Sequence, residues 1–170
     1  MTCVLQTIDS PLGPLVAVAA PEGVCMLEFG EPDRLKAQMT SIRRWFRAEA
    51  SEGEHAHLNH LRDELREYFA GKLTRFTVPV VTPGTPFQQR VWSELVRIPY
   101  GETRSYEDVA RAVGVVSAPR AVGRANGSNR IAIVVPCHRV VNKDGKLGGY
   151  GGQLWRKEAL LRLERPSLLR

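Results

Sequence analysis

The sequence has few cysteines and no long apolar run, and each absence excludes a class of protein. Cys3, Cys25 and Cys137 are too few and too far apart for a disulfide framework or a zinc motif. No apolar stretch approaches the ~20 residues of a membrane span, and the opening MTCVLQTIDS lacks a basic region followed by an apolar core. We therefore expect no signal peptide, no membrane contact and a cytoplasmic location.

Patterns that bind cofactors and metals are missing as well. No glycine-rich loop follows a predicted strand in the way that nucleotide cofactors require, so we expect no cofactor. A metal ion that joins Cys3 and Cys25 to His55, His57 or His60 has weak support, and we expect no metal. The two cysteines are expected on strands, as small apolar residues.

Acidic residues are scarce in the second half of the chain. Residues 1–85 carry 9 basic and 11 acidic side chains, whereas residues 86–170 carry 15 and 7, which gives net charges of −2 and +8. A cationic half favours a polyanionic partner, and nucleic acid is the first candidate. A basic surface that is merely solvated explains the charge equally well.

The first half has the pattern of an α/β domain. Apolar residues recur at helical spacing in residues 35–46 and 58–69, and Gly71 is expected to end the second helix. RFTVPV is expected as a further strand, at a sheet edge because of Pro79. Three earlier strands are predicted, the first two joined by the turn SPLGP, in CVLQTID, LVAVAA and GVCMLEF.

VTPGTP is interpreted as the linker between a domain of residues 1–82 and a domain of residues 83–170. Three helices are predicted early in the second domain, and the last two are short and joined by a tight turn, as in a helix-turn-helix. Their starts are marked by Thr85 with Gln88, by Ser105 with Asp108, and by Ser117 followed by Pro119.

The third of these helices combines a small-residue face with arginines. Arg120 and Arg124 lie one turn apart on the outer face, with Gly123 between them. Such a helix can approach a nucleic-acid backbone closely, although a surface helix with solvated arginines has the same pattern. The small-residue stripe, at i, i+3, i+4 and i+7, consists of Ala118, Ala121, Val122 and Ala125.

Cys137 follows an apolar run. IAIVV, residues 131–135, is expected as a strand that Pro136 ends. Because adjacent strand residues face opposite ways, Cys137 and His138 pair only if a turn or a helical onset follows the proline. The neighbouring His138 and Arg139 favour a reactive thiolate, and a buried structural cysteine is the alternative.

Two further features follow the thiol. Residues 147–152, LGGYGG, form a loop whose backbone can approach a ligand, or a flexible connector. Glu164 ends a final helix, predicted for residues 154–163, and is a candidate to orient His138 as a base; a solvated glutamate is the alternative. The residues expected in the core of that helix are Trp155, Ala159, Leu160 and Leu163.

Several motifs together resemble one family. PCHRVV, preceded by RAVGRANGSN and followed by GGYGG, is similar to the O6-alkylguanine-DNA alkyltransferases, and the resemblance covers residues 86–164. TIDSPLGPL extends it weakly into the first half. The resemblance implies a ribonuclease-H-like α/β N-terminal domain and a mainly α C-terminal domain with a helix-turn-helix. Three more stretches carry it: FQQRVW, IPYGETRSY and WRKEALLRLE.

The activity that the resemblance implies is DNA repair by a single-turnover methyltransferase. The alkyl group passes from O6 of guanine, or from O4 of thymine, to a cysteine of the protein, which is thereby inactivated. The damaged nucleotide is flipped out of duplex DNA. No cofactor is needed, the protein is expected to be a monomer, and cooperative assembly on DNA is left open.

The resemblance also implies the reacting residues. Cys137 is the nucleophile, His138 acts on it as a base through a water molecule, and Glu164 orients His138. Asn129 braces the loop that carries the thiol.

Substrate contacts are implied in the same way. Tyr106 donates a hydrogen bond to the base, and the carbonyls of Val140 and Cys137 accept from the guanine amine. The Gly151 amide donates to the guanine oxygen, and Tyr150 forms a pocket wall. Arg120 enters the space that the flipped nucleotide leaves in the minor groove. The other residues implied in the DNA interface are Ala118, Ala121, Gly123 and Arg124.

The chain departs from the family pattern at three points. Gly151 stands where some members have serine, but the implied role needs only the backbone amide. Arg130 follows Asn129 where proline is common, which would either loosen the loop or add a phosphate contact. The zinc ligands of some members are absent from the first half, in agreement with the expectation of no metal.

Three rival functions compete with alkyl transfer. A cysteine hydrolase needs the thiol and the imidazole but not a helix-turn-helix. A lesion-binding protein needs no reactive cysteine, so Cys137 argues against it. A transcription factor that uses the helix-turn-helix is disfavoured, because we expect no spare length in this chain for a second DNA-binding unit.

Overall fold

The computed structural model describes residues 2–166, and the chain divides into two units, Met1–Pro83 and Gly84–Arg170. None of the helices in the described range combines the length and the hydropathy of a membrane-spanning segment. The first unit contains β1 (Cys3–Ile8), β2 (Leu15–Ala20), β3 (Gly23–Phe29), α1 (Pro32–Phe46), β4 (Ala50–Glu52) and α2 (Ala56–Phe69). The second unit contains α3 (Pro86–Val96), β5 (Arg104–Ser105), α4 (Tyr106–Ala112), α5 (Pro119–Gly127), β6 (Val140–Val141) and α6 (Leu154–Glu164).

The first unit is built on a four-stranded sheet of order β3-β2-β1-β4. β1 and β2 form the predicted hairpin and β3 extends it as an antiparallel meander, whereas β4 pairs parallel to β1 after the crossover through α1. Every residue of β3 is buried, so both faces of this strand are covered. The predicted α/β class of this half is confirmed. β4 has three residues, too few for a periodic pattern to predict it.

The core of this unit contains both early cysteines. Cys3 on β1 and Cys25 on β3 are fully buried, in one cluster with Ile42 of α1. Among residues 2–166, no group of three or more His, Cys, Asp or Glu side chains is arranged to hold a metal ion.

The predicted edge strand RFTVPV does not form. The amides of Thr77 and Val78, which would pair in a sheet, donate instead to the Glu64 carboxylate at 2.9 and 2.7 Å. Only Val80 pairs with the sheet, through an isolated bridge to Val24. The Glu64 side chain thus accepts the hydrogen bonds that a neighbouring strand would accept. An apolar pattern that contains a proline is compatible with either partner, so the sequence does not distinguish them.

The second unit has the predicted helices, with one wrong cap. Thr85 and Ser105 begin α3 and α4 in reciprocal capping boxes, as expected. Ser117, however, is not the cap of α5: the N-cap residue is Ala118, which makes no side-chain cap hydrogen bond. Pro119 at the first helical position, with its fixed φ, supplies the start signal instead.

The buried face of α6 was predicted only in part. Leu160 is buried as expected, Ala159 and Leu163 are half-buried, and Trp155 is 51% exposed. Lys157 and Glu164 are buried although they are charged. Apolar spacing does not indicate such positions, because it assumes that charged residues face water.

Candidate active site

The backbone before Cys137 turns instead of forming the predicted strand. In residues 131–135, the Val135 amide donates to the Ile131 carbonyl at 3.0 Å, and Ile133 has a φ of 71°. The segment is almost entirely buried. A buried strand and a buried turn have the same apolar composition, so the sequence could not distinguish them. Pro136 then leads into a 3₁₀ turn, Cys137–Arg139, which is the helical onset that the pairing of thiol and imidazole requires.

Asn129 fixes this turn. Its amide nitrogen Nδ2 donates to the Val135 carbonyl at 2.8 Å and to Cys137 Sγ at 3.1 Å. Its oxygen Oδ1 accepts from the Ile131 amide at 3.0 Å. Backbone groups that a strand would satisfy are thus bound by one buried side chain. The geometry agrees with the bracing role that the resemblance implies.

A buried polar chain leads away from the thiol. His138 Nε2 lies 2.8 Å from Glu164 Oε2, and both side chains are almost fully buried. Arg139 donates to both Glu164 oxygens, at 2.8 and 3.1 Å, and to the Ile98 carbonyl at 2.7 Å. One carboxylate therefore holds the imidazole and the guanidinium together.

Burial and the neighbouring Arg139 determine the protonation states of His138 and Glu164. Burial alone would raise the pKa of Glu164, but its hydrogen bonds and charge interactions with His138 and Arg139 lower the pKa to about 2. Burial also lowers the pKa of His138, against the opposing effect of Glu164. Arg139 already balances the carboxylate, so His138 is neutral at pH 7 and donates from Nε2 to Glu164. Nδ1, buried and without a hydrogen-bond partner in residues 2–166, then carries the lone pair.

A short parallel pairing brings α4 to the thiol. Arg104 and Ser105 of β5 pair with Val140 and Val141 of β6, directly after the Cys137 turn. Tyr106 follows β5, so its ring lies in the site. Burial raises the pKa of Tyr106, and charge on Cys137 raises it further, which keeps the phenol protonated.

The remaining predicted substrate residues all follow the Cys137–Arg139 turn in the chain. Val140 is buried, Tyr150 is half-buried and Gly151 is exposed. A methyl group placed on Gly148, which has a φ of 71°, would lie 3.3 Å from the Tyr106 hydroxyl, so the glycine-rich loop passes close to that phenol. The loop and the thiol turn therefore share one site.

The predicted DNA-contacting residues share one helix. Arg120 and Arg124 are exposed on α5, whereas Ala118, Ala121 and Gly123 are half-buried. A Cβ atom added to Gly123 would lie 3.8 Å from the Tyr106 ring, so the helix also borders the reaction site. Arg130 is buried, with its guanidinium 5.5 Å from the Trp92 ring centre, a placement that does not favour the phosphate contact considered for it.

Family models match both units of the chain. The DNA-binding domain of 6-O-methylguanine DNA methyltransferase matches residues 86–166, and its ribonuclease-like domain matches residues 3–82. The chain belongs to the 6-O-methylguanine DNA methyltransferase family. The predicted resemblance and the two-part fold class are thereby confirmed.

Relatives and solved structures agree with this family. The methylated-DNA–protein-cysteine methyltransferase of Mycobacterium tuberculosis (strain ATCC 25618 / H37Rv) is 46% identical over 94% of this chain and 91% of its own. The constitutive enzyme of Bacillus subtilis (strain 168) is 41% identical over 95% and 94%. A crystal structure of Mycobacterium tuberculosis OGT in complex with DNA matches with a TM-score of 0.81 and 44% identity over 98% of this chain and 94% of that chain.

Two polar residues of this methyltransferase-family site were missed from the sequence. Lys157 is buried beside the glycine-rich loop, and Asn126 donates to the Cys137 carbonyl at 3.3 Å. Arg139 was expected only to favour the thiolate, and the structure shows that it also holds Glu164. Lys157 and Asn126 lie in ordinary helical stretches, and nothing local distinguishes them from solvated residues.

Proposed function

We propose that this protein repairs duplex DNA by moving an alkyl group from O6 of guanine to Cys137, once per molecule. The single observation that carries the proposal is the buried chain in which Cys137 precedes a neutral His138 that is fixed on Glu164. A base held in one tautomer beside a thiol is the arrangement of an activated nucleophile.

The reaction is a substitution at carbon. The thiol proton passes to His138 Nδ1 through a water molecule, and the thiolate attacks the alkyl carbon. The S–C bond forms as the bond between carbon and O6 breaks, and its electron pair remains on the guanine. The guanine anion takes up one proton, so the net products are a thioether and restored guanine.

The base contacts that we propose stabilise the departing guanine. The protonated Tyr106 donates a hydrogen bond to it, and the Gly151 amide donates to the oxygen on which charge develops. The carbonyls of Cys137 and Val140 accept from the guanine amine. The Val140 carbonyl already accepts from Lys157, and the Cys137 carbonyl already accepts from Asn126 and from the Val140 amide, so the guanine amine would share these oxygens with the protein.

The DNA contacts follow from α5. We propose that the helix lies in the minor groove, that Arg120 fills the space of a flipped nucleotide, and that Ala118, Ala121, Gly123 and Arg124 line the contact. Minor-groove and phosphate contacts carry little sequence information, as a search for rare lesions requires. The same site is proposed to accept O4-alkylthymine. Residues 83–170 carry this chemistry, and residues 1–82 serve as a scaffold.

Intact-protein mass tests the proposal directly. After incubation with duplex DNA that contains one O6-methylguanine, the wild type should gain the mass of one methylene, saturating at one per molecule. Cys137→Ala should bind the DNA and gain nothing, and Cys3→Ala should react like the wild type. If the wild type binds the DNA without a mass gain, alkyl transfer is refuted and the protein is a lesion-binding protein. Catalytic turnover would instead indicate a hydrolase.

A further inference from the structure

Asn126 is a buried polar residue in the last turn of α5, and its side chain contacts the turn that carries the thiol. The residue is only 5% exposed, and its Nδ2 donates to the Cys137 carbonyl at 3.3 Å. A carbonyl oxygen accepts and cannot donate, so the amide nitrogen must face Cys137, which fixes the position of Oδ1. Within residues 2–166, Oδ1 is closed to solvent and accepts no hydrogen bond.

A second unpaired acceptor belongs to the residue that follows the thiol. His138 Nδ1 is buried and carries a lone pair, because Nε2 donates to Glu164. The Asn126 amide contacts the carbonyl of the Cys137–His138 peptide, and the imidazole belongs to the residue on the other side of that peptide. Buried acceptors are costly unless a donor reaches them. Because both atoms are acceptors, they cannot satisfy one another, and a group with two donors is required.

A water molecule is such a group, and a buried water typically makes two to four hydrogen bonds with polar atoms. With one O–H on His138 Nδ1 and the other on Asn126 Oδ1, the water has only lone pairs left. It must then accept from the thiol, which is the orientation that a proton relay needs. Asn129 Nδ2 already donates to Cys137 Sγ at 3.1 Å, so the sulfur has a donor and its own proton is available to the water.

We propose that Asn126 is a positioning residue for alkyl transfer, whose Oδ1 accepts a hydrogen bond from the water that relays the thiol proton to His138. The inference rests on the proposed function, in which this relay generates the thiolate. In the relay, the S–H bond of Cys137 breaks and an N–H bond forms at Nδ1. The water takes up one proton and gives up another, so it is regenerated. Its remaining O–H stays on Oδ1 throughout.

The titratable and charged groups around this relay belong to three elements. Tyr106 begins α4, Arg139 belongs to the thiol turn, and Lys157 and Glu164 lie on α6. Burial lowers the pKa of His138, Glu164 opposes this shift, and the charges of Arg139 and Lys157 add to it. An imidazole with a lowered pKa takes up a proton reluctantly. The geometry of the relay should therefore affect how readily the thiolate forms.

The first test measures the rate at which iodoacetamide alkylates Cys137 as a function of pH, with the site of reaction read by peptide mass. Asn126→Leu has a similar shape and removes Oδ1, so the pH midpoint should rise by about one unit, the effect of one hydrogen bond. Gln38→Leu is the matched control, because it removes a buried amide that donates to Glu28 at 3.0 Å in the first unit. The control should lose stability and keep the midpoint of the wild type.

A folded Asn126→Leu variant with an unchanged midpoint would overturn the inference. The same holds if only repair of O6-methylguanine is slowed, since Oδ1 would then act on the DNA base.

If the variant does not fold, NMR of the wild type decides. Nuclear Overhauser contacts should join water to the Nδ2 protons of Asn126 and to the ring proton between the two nitrogens of His138. Absence of the contact at either residue would exclude the shared water. The pH midpoint and the NMR measurement use no DNA, so their failure is distinct from failure of the repair assay.

Discussion

Glu164 Oε2 lies 2.8 Å from His138 Nε2, and the contact is closed to water. The pKa of Glu164, at about 2, lies below the unfolded value of about 4.3. A lowered pKa in the folded state stabilises the fold at every pH above the pKa of the unfolded state. This contribution to the free energy of unfolding disappears as pH falls from about 4.5 towards 2. In the folded protein the carboxylate therefore keeps its charge until the pH approaches 2, and the stability that it contributes shrinks over this range.

Glu164→Gln should lower the free energy of unfolding at pH 7 by about 3 kcal/mol, because the buried Arg139 loses its counter-charge. The deficit should shrink as pH falls from about 4.5 towards 2, because the carboxylate is protonated in the unfolded wild type well before it is protonated in the folded state. Urea unfolding at pH 7, 5 and 3 measures both effects. Glu158→Gln, in the exposed pair with Arg162 on the same helix, should cost well under 1 kcal/mol. Equal losses in the two variants would contradict the prediction.

Asn129→Asp should slow alkylation of Cys137 by iodoacetamide at pH 7 and destabilise the protein. Aspartate cannot donate to the sulfur or to the Val135 carbonyl, and its negative charge beside Sγ disfavours the thiolate. A loss of roughly 1–3 kcal/mol is expected from the buried groups left unpaired. The control is Asn59→Asp, at an exposed position of α2. An Asn129→Asp variant as stable and reactive as this control would remove the bracing role.

Tyr106→Phe should slow methyl transfer from duplex DNA about tenfold or more, with the iodoacetamide reaction unchanged. The hydroxyl is proposed to act on the departing base, and iodoacetamide has no base. Single-turnover mass kinetics with the two reagents separate the effects. Tyr100→Phe removes a hydroxyl that donates to the Leu163 carbonyl at 3.5 Å, and should react normally. Equal slowing with both reagents would mean that the hydroxyl acts on the thiol instead.

Local signals in the sequence predicted more of the fold than long-range ones. The caps at Thr85 and Ser105 could be predicted because each capping box is complete within four residues. Gly71 could be predicted as a helix end because only a φ of 75° closes that turn. Ser117 failed as a cap because Pro119 fixed the helix start by itself.

The buried polar contacts of the site could not be predicted from the residues alone. Cys137 and His138 were identifiable as a motif, but the turn that carries them depends on Asn129, whose side chain binds backbone groups that a strand would pair. The burial of Lys157 could not be predicted, because its three partners are backbone carbonyls, which every sequence contains. Burial of charged residues depends on partners distant in sequence, so a helical periodicity cannot indicate it.

Arg120→Ala should reduce repair of O6-methylguanine much more in duplex than in single-stranded DNA. The arginine is proposed to occupy space that a flipped nucleotide leaves, and this space exists only in a duplex. Single-turnover rates on both substrates measure the ratio. Arg162→Ala makes the same change in charge at an exposed position of α6, and should affect both substrates equally. A similar loss on both substrates for Arg120→Ala would indicate phosphate binding alone.

Gly123→Ala should change stability and DNA affinity in opposite directions. The added methyl group would make an ordinary 3.8 Å contact with the Tyr106 ring, and alanine is favoured over glycine inside a helix by up to about 1 kcal/mol. The free energy of unfolding should therefore rise or stay constant. DNA affinity should fall, because the proposed minor-groove contact needs close approach of the α5 backbone. Gly127→Ala, in open space at the end of the same helix, is the matched control. Unfolding in urea and DNA titration give the two readouts, and a Gly123→Ala variant that binds DNA as tightly as this control would exclude close approach at Gly123.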